Sequence, residues 1–186
     1  MTELSRSEVT EGISKNILRV ARFSKISPEQ FMADYLKYYP NMDVRTVADI
    51  YNGIELPKRA TEGSAGYDFY STVSLTLVPR QSIIVPTGIR AQIDMGWVLK
   101  LYPRSSYGMK YRLQMDNTTG IIDSDYYYAS NEGHIMMKIT NDSTSKAELD
   151  LHIGDRFAQG IFTPFGITYD DNVDTKRTGG LGSTGV

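Results

Sequence analysis

The sequence predicts a mainly β fold, a β-sandwich or small barrel, with helices confined to its N-terminal third. From Leu56 onward, short alternating or apolar pieces follow one another: "SLTLV", "SIIVPTGIRAQI", "WVLKLY", "GHIMMKIT" and "AELDLHI". Turn chemistry separates them, as "PRQS", "DMG", "SNEG" and "TNDSTS". Only before Leu56 does the apolar spacing fit helices, and many short strands without intervening helices mean a sandwich or barrel.

The first element expected is a strand in "NILRVARFSKI" (Asn16 to Ile26), with Leu18, Val20 and Phe23 as its apolar positions. "SPEQ" then opens a helix. Ser27 is suited to cap it, Pro28 to its first position and Gln30 to completing a capping box. Phe31, Tyr35, Leu36 and Tyr39 follow at helical spacing, and the helix should stop before Pro40. Asp43 caps a second helix with Val44, Val47, Ala48 and Tyr51 as its stripe and "NG" as its stop. Two helices on a short turn invite a helix-turn-helix reading. Neither is basic enough to track a phosphate backbone, so packing against the strands is the expectation.

Composition narrows the class further. In 186 residues, 23% charged and 40% apolar is the balance of a folded domain with a buried core. A net charge of -2 argues against a general polyanion binder, nucleic acid included, so phosphate chemistry would need locally placed cations. Cysteine is absent, which excludes disulfides, thiolate metal sites and a cysteine nucleophile and fits a reducing cytosol. The first residues lack a basic start followed by an apolar run. No apolar run approaches the roughly 20 residues that cross a bilayer. A soluble cytoplasmic protein, bound to neither membrane nor nucleic acid, is expected.

Several stretches are too polar and too glycine-marked to be mere turns. "EGSAGYDFYS" places Asp68 among small residues, where a backbone or metal-bound water can approach. "YPRSSYGMK" offers Arg104, Ser105 and Ser106 in succession, a cradle for phosphate oxygens. "GDRFAQGIF" adds Arg156 and Gln159, and the closing "KRTGGLGSTG" adds Lys176, Arg177 and a glycine-rich nest. In "DNTTGIIDSDYYY", Asp123 and Asp125 at i and i+2 would share one face of an extended strand, with Tyr126 next and Asn117 upstream. An acid, an amide and an aromatic around one hairpin could supply a base, a nucleobase reader and a sugar platform. The bland alternatives are a turn at "PRSS" and a solvated loop at "DSD". His134 and His152 read as partly buried strand residues, and Trp97 and the tyrosines as core and interface.

Together, in this order, these segments resemble the five motifs of the trimeric dUTP pyrophosphatases (dUTPases): "AGYDFYS", "PRSSYGMK", "GIIDSDYYY", "GDRFAQ" and "RTGGLGSTG". The resemblance covers Leu56 to Val186. It implies a distorted β-barrel or jelly roll of the β-clip kind, assembled as a homotrimer. Three shared active sites would lie at subunit interfaces, the fifth motif closing over the nucleotide from a neighbour. The implied reaction is hydrolysis of dUTP to dUMP and pyrophosphate with Mg²⁺, which limits uracil in DNA and supplies dUMP for dTMP synthesis. The chain would divide into an N-terminal strand and helical extension over 1–55, a β core over 56–172 and a mobile arm over 173–186.

Roles carry over from the resemblance position by position. Asp123 would orient and deprotonate the attacking water. Tyr126 would stack under the deoxyribose and exclude a 2′-hydroxyl. Asn117, with the backbone of Gly120 and Ile122, would read uracil. Arg104, Ser105, Ser106 and Gln159 would hold phosphates, and Asp68 would hold waters of the metal, which stays mainly on the substrate phosphates. Arg156 would be a structural ion-pair partner. Arg177, Leu181, Gly182 and Ser183 would belong to the closing arm.

Three departures stand out. "YYASNEG" (Tyr127 to Gly133) replaces a tight "RG" turn and should alter the trimer surface more than the base pocket. Leu181 stands where an aromatic usually covers uracil, keeping an apolar cover without the ring face. Lys176 stands where the phosphate-binding Arg usually lies, one residue before Arg177. A dCTP deaminase shares the fold and a "PRSS"-like motif but works with a glutamate, so Asp123 and Tyr126 tell against it. A regulatory or interaction protein of this fold is the other alternative. The intact set of acid, phosphate ligands and tail argues against lost catalysis and leaves an added binding role open. A structural jelly-roll subunit would not need the tail.

Overall fold

The computed structural model describes residues 17–175 together with Arg177 and Gly179. Strand β1 (Ala21–Lys25) pairs antiparallel with β6 (Ile89–Ile93), setting Phe23 opposite Ala91. Helix α1 (Pro28–Tyr38) begins where expected: the Ser27 side chain accepts from the Gln30 N–H at 3.2 Å, and Pro28 opens the first turn. The second half of the capping box differs. Gln30 does not return to Ser27; instead the Ser27 N–H donates to Glu132 Oε2 at 2.8 Å and its hydroxyl to Oε1 at 2.5 Å. Helix α2 (Val44–Asn52) is capped by Asp43, which accepts from the Arg45 and Thr46 N–H groups.

These helices do not stand apart from the strands. Phe31, Tyr35, Val47 and Ile50 are buried in one apolar cluster with Phe69, Ile89, Leu99 and Phe157. Tyrosine hydroxyls complete the joint, because a ring can be buried while its O–H finds a backbone acceptor. Tyr35 donates to Thr72 O at 3.2 Å, Tyr39 to Ile84 O at 2.7 Å and Tyr51 to Ile26 O at 2.8 Å.

The mainly β expectation holds, but among the described residues the strands form four sheets rather than one closed barrel. The largest runs β2 (Lys58–Arg59), β3 (Tyr67–Tyr70), β12 (Arg156–Pro164), β7 (Trp97–Pro103), β9 (Gly120–Ile122). A second places β10 (Met136–Asn141) between β5 (Ser82–Pro86) and β8 (Leu113–Met115). The third pairs β11 (Leu149–Leu151) with β4 (Leu75–Leu77), and β1 with β6 is the fourth. Alternation is clean where one face is wet: Met137, Ile139 and Asn141 of β10 are buried and Lys138 is exposed. Two helical pieces lie inside the β region, against expectation: α3 (Ser105–Tyr111) and a 3₁₀ turn, η1 (Ser124–Tyr128). Arg112, at φ 50°, ends α3 in the left-handed region.

His152 is exposed, but His134 is wholly buried and lies just ahead of β10 rather than in a strand. Its Nε2 accepts the Gly88 N–H at 2.8 Å, so the ring proton sits on Nδ1 and is donated to Asp34 Oδ2 at 2.6 Å. Gly88 adopts φ +71°, and a Cβ there would stand 2.3 Å from Ile54 Cδ1 and 3.2 Å from the Phe31 ring. Only glycine fits this crossing.

Burial pushes the Asp34 carboxyl up, but hydrogen bonds from His134 and Gln30 outweigh it and hold the group below its usual range. The side-chain and backbone bonds from Ser27 likewise hold Glu132 low. A carboxylate depressed on folding adds stability above its unfolded pKa of about 4, and that stability is lost as pH falls through the folded value. Glu132→Ala should therefore lower the unfolding free energy by about 1–2 kcal/mol at neutral pH. The deficit should shrink as the medium is acidified below the ordinary carboxylate range. Urea denaturation on both sides of that range checks it; equal deficits would contradict the role of the charge.

Candidate active site

The first functional group is built where three strands meet. Pairing of β3 with β12 sets Asp68 opposite Gln159, and pairing of β12 with β7 sets Ala158 opposite Pro103, which delivers Arg104 beside them. Asp68 is buried, 7% exposed, and both its oxygens are engaged. Arg104 Nε lies 3.2 Å from Oδ1 and Arg156 Nη1 lies 3.4 Å from Oδ2. A register slip between Arg156 and Ala158 interrupts the ladder at this point. The Arg104 N–H is fixed on Phe157 O at 2.9 Å. Two guanidiniums on one carboxylate leave net positive charge, and the exposed Ser105 and Ser106 open α3 alongside. The arrangement suits phosphate oxygens. Gln159 lies close over Gly66, where a Cβ would stand 2.6 Å from its Oε1.

The second group forms at the end of β9. The expectation of one extended strand through Asp123 and Asp125 is corrected: Asp123 is extended (φ -78°, ψ 160°), but η1 starts at Ser124. The two carboxylates still converge, because one guanidinium spans them. Arg177 Nη2 lies 2.8 Å from Asp123 Oδ2 and Nε lies 3.0 Å from Asp125 Oδ1. The same guanidinium lies 5.6 Å from the Tyr126 ring centroid.

Tyr126 is buried, which pushes its hydroxyl up. That hydroxyl donates to His134 O at 2.8 Å and accepts from Asn131 Nδ2 at 3.0 Å. Gly133, at φ +70°, lets the loop return directly against this turn; a Cβ would stand 2.7 Å from Tyr126 O. The lengthened segment from Tyr127 to Gly133 therefore has an intramolecular partner, the start of α1, reached through Glu132.

Around Asn117 the chain turns back tightly: Met115 and Thr118 form an isolated antiparallel bridge, and the Thr118 N–H donates to Met115 O at 2.9 Å. The flanking strands then diverge, β8 pairing with β10 and β9 with β7. Asn117 is exposed at the tip of this corner. Gly120 and Ile122 are buried, opposite Leu101 and Leu99 of β7. Among the described residues, no hydrogen bond or ion pair joins the Asp68 group to the Asp123 group. None ties the side chains of Ser105, Ser106 or Asn117 to either. Lys176, Leu181, Gly182 and Ser183 lie outside the described residues.

Sequence reasoning did not find Asn131, His134 and Asp34 as supports of Tyr126. His134 and Asp34 are 100 residues apart, and no local pattern signals such a contact.

The comparisons with known proteins agree on one family. A family model described as dUTPase matches residues 52–185. The deoxyuridine 5′-triphosphate nucleotidohydrolase of Lactococcus lactis subsp. lactis is 42% identical over 137 residues, 72% of this chain and 90% of its own. That of Shewanella baltica is 36% identical over 139 residues, 70% of this chain and 87% of its own. The crystal structure of dUTPase from Streptococcus mutans superposes with a TM-score of 0.57 at 33% identity, covering 78% of this chain and 97% of that one. With a family model across most of its length and a relative this similar, the chain belongs to the dUTPase family, and its activity is the hydrolysis of dUTP to dUMP and pyrophosphate.

Proposed function

We propose that Asp123 is the base of this hydrolysis and that Tyr126 lies under the deoxyribose. The observation that carries the reading is the single Arg177 guanidinium spanning Asp123 and Asp125 beside the Tyr126 ring. It joins Arg177 of the closing segment to the acid and the aromatic, and Arg177 is read as the arm's phosphate ligand. While it is paired, the Arg177 guanidinium occupies one lone pair of Asp123 Oδ2 and crowds the approach of a water to that oxygen. The triphosphate of dUTP, with several negative charges, competes for that guanidinium; a planar fork suits phosphate oxygens as well as carboxylates. Once released, Asp123 takes a proton from water as the water oxygen bonds to the α-phosphorus. The bond from that phosphorus to the bridging oxygen breaks, and pyrophosphate leaves.

Arg104, Ser105, Ser106 and Gln159 hold the phosphate chain, with Asp68 fixing Arg104 by charge and Arg156 as the structural ion-pair partner of Asp68. Asn117 and the backbone of Gly120 and Ile122 read the uracil edge. Leu181, Gly182 and Ser183 close over the nucleotide with Arg177.

dUTPases generally depend on Mg²⁺, and a phage φ11 dUTPase of the same fold, 19% identical with a TM-score of 0.57, has been solved with a structural Mg(II) ion. The ion is read as carried mainly on the triphosphate, since Mg²⁺ binds through one or two carboxylates plus substrate phosphates and keeps several waters. Asp68 retains a lone pair on each oxygen for the ion's waters. Bound there, the ion would neutralise charge on the departing pyrophosphate.

A homotrimer with shared sites is part of this reading. Ile167, Tyr169 and Val173, at 73%, 113% and 80% exposure, are a run of apolar side chains that a second copy would cover. The division into 1–55, 56–172 and 173–186, and a cytoplasmic setting, complete it.

Pyrophosphate release measured with dUTP, UTP, dCTP and dTTP, with and without Mg²⁺, tests the whole. Asp123→Asn should lower kcat by about 10²-fold or more while leaving dUTP affinity nearly unchanged. Undiminished turnover would remove Asp123 from its role. Deletion after Lys176 should cost most of the activity while circular dichroism stays that of the folded protein. Normal hydrolysis by the truncated chain would sink the arm assignment.

A further inference from the structure

Helix α1 lies outside the 52–185 stretch that the family model matches, yet it reaches the residues that hold Tyr126. Asp34, midway along α1, accepts the His134 Nδ1 proton at 2.6 Å, and Gly88 N–H occupies Nε2 at 2.8 Å. The imidazole is thus bonded at both nitrogens and has no freedom to turn. The carbonyl of this same residue takes the Tyr126 hydroxyl proton at 2.8 Å. Asn131 Nδ2 donates to that hydroxyl at 3.0 Å and to the carbonyl at 3.4 Å. The Asn131 amide can face only one way, since His134 O accepts and cannot donate. Its Oδ1 is buried without a hydrogen-bond partner among the described residues. Glu132, between the two, fastens the loop to Ser27 at the start of α1.

We propose that Asp34, His134 and Asn131 are positioning residues for Tyr126, through which the N-terminal helix sets the discrimination between dUTP and UTP. The inference rests on the reading above that Tyr126 lies under the deoxyribose. Rejection of a 2′-hydroxyl by a ring face is a matter of contact distance, so it depends on how firmly the ring's tilt is held. The phenolic oxygen is the far end of that ring, and fixing it by two bonds fixes the tilt.

The test compares kcat/KM for dUTP and UTP, by pyrophosphate release, in the full chain and in four variants, with a thermal melt of each. Asp34→Ala and Asn131→Ala should each lower the dUTP-to-UTP ratio by about 10-fold. Asp34→Asn keeps an oxygen for the His134 N–H and should hold the ratio within about 2-fold of the parent. Tyr126→Ala is the control for the underlying reading. An unchanged ratio in Tyr126→Ala overturns the sugar assignment and the inference with it. A collapsed ratio in Tyr126→Ala beside unchanged ratios in Asp34→Ala and Asn131→Ala overturns the inference alone. A lowered melting point without a change in ratio is the mark of a merely structural contact and counts against it. Should Asp34→Ala fail to fold, Asn131→Ala decides.

Discussion

Strand β12 is hydrogen-bonded along both edges, to β3 on one side and β7 on the other, and the placement of charge follows from that constraint. A strand with two partners cannot slide, because a one-residue shift would turn every side chain to the wrong face. Its register therefore fixes Gln159 against Asp68 and brings the end of β7 to Phe157, where Arg104 begins. The one irregularity, between Arg156 and Ala158, falls beside the carboxylate that both arginines share. Bulges recur where a ladder must re-aim a side chain, and here the side chain is a guanidinium.

The two clusters differ in how they hold charge. Around Asp68 the acid is buried and its arginines are half-exposed, so positive charge faces outward. Around Asp123 the acids are half-exposed and the Arg177 side chain is the more buried partner, at 16%. In the function proposed above, one cluster offers cations to an incoming nucleotide and the other offers acids once its cation has been drawn away. An enzyme that binds a polyanion and then needs a base gains from keeping these apart.

Much of this was legible in the sequence, and the failures have physical causes. Ser27, Pro28 and Asp43 open their helices as local chemistry demands, and the order of short strands after Leu56 is real. Asp68, Arg104, Arg156 and the acid pair were all singled out by residue type and glycine context. Missed were α3 and η1, because helical pieces of seven and five residues starting within "PRSS" and "DSD" have too few residues to show a period. The turn at Asn117 is local, but the sheets its flanking strands join are decided by partners far along the chain, β10 for β8 and β7 for β9. Glu132 displaced Gln30 at the capping box for the same reason: a partner 105 residues away leaves no local trace.

Those long spans bear on how the chain reaches its fold. The bonds that dock the helices join Ser27 to Glu132 and Asp34 to His134, and Asp68 waits for Arg156, 88 residues on. Loop-closure entropy must be met before any of them contributes, which makes such topologies slow to form. On a ribosome, α1 and α2 emerge early with Phe31 and Val47 uncovered, and β3 emerges with one edge unpaired until β12 follows. The core is therefore complete only once β12 has been made, and this last of the described strands is the one on which the largest sheet depends.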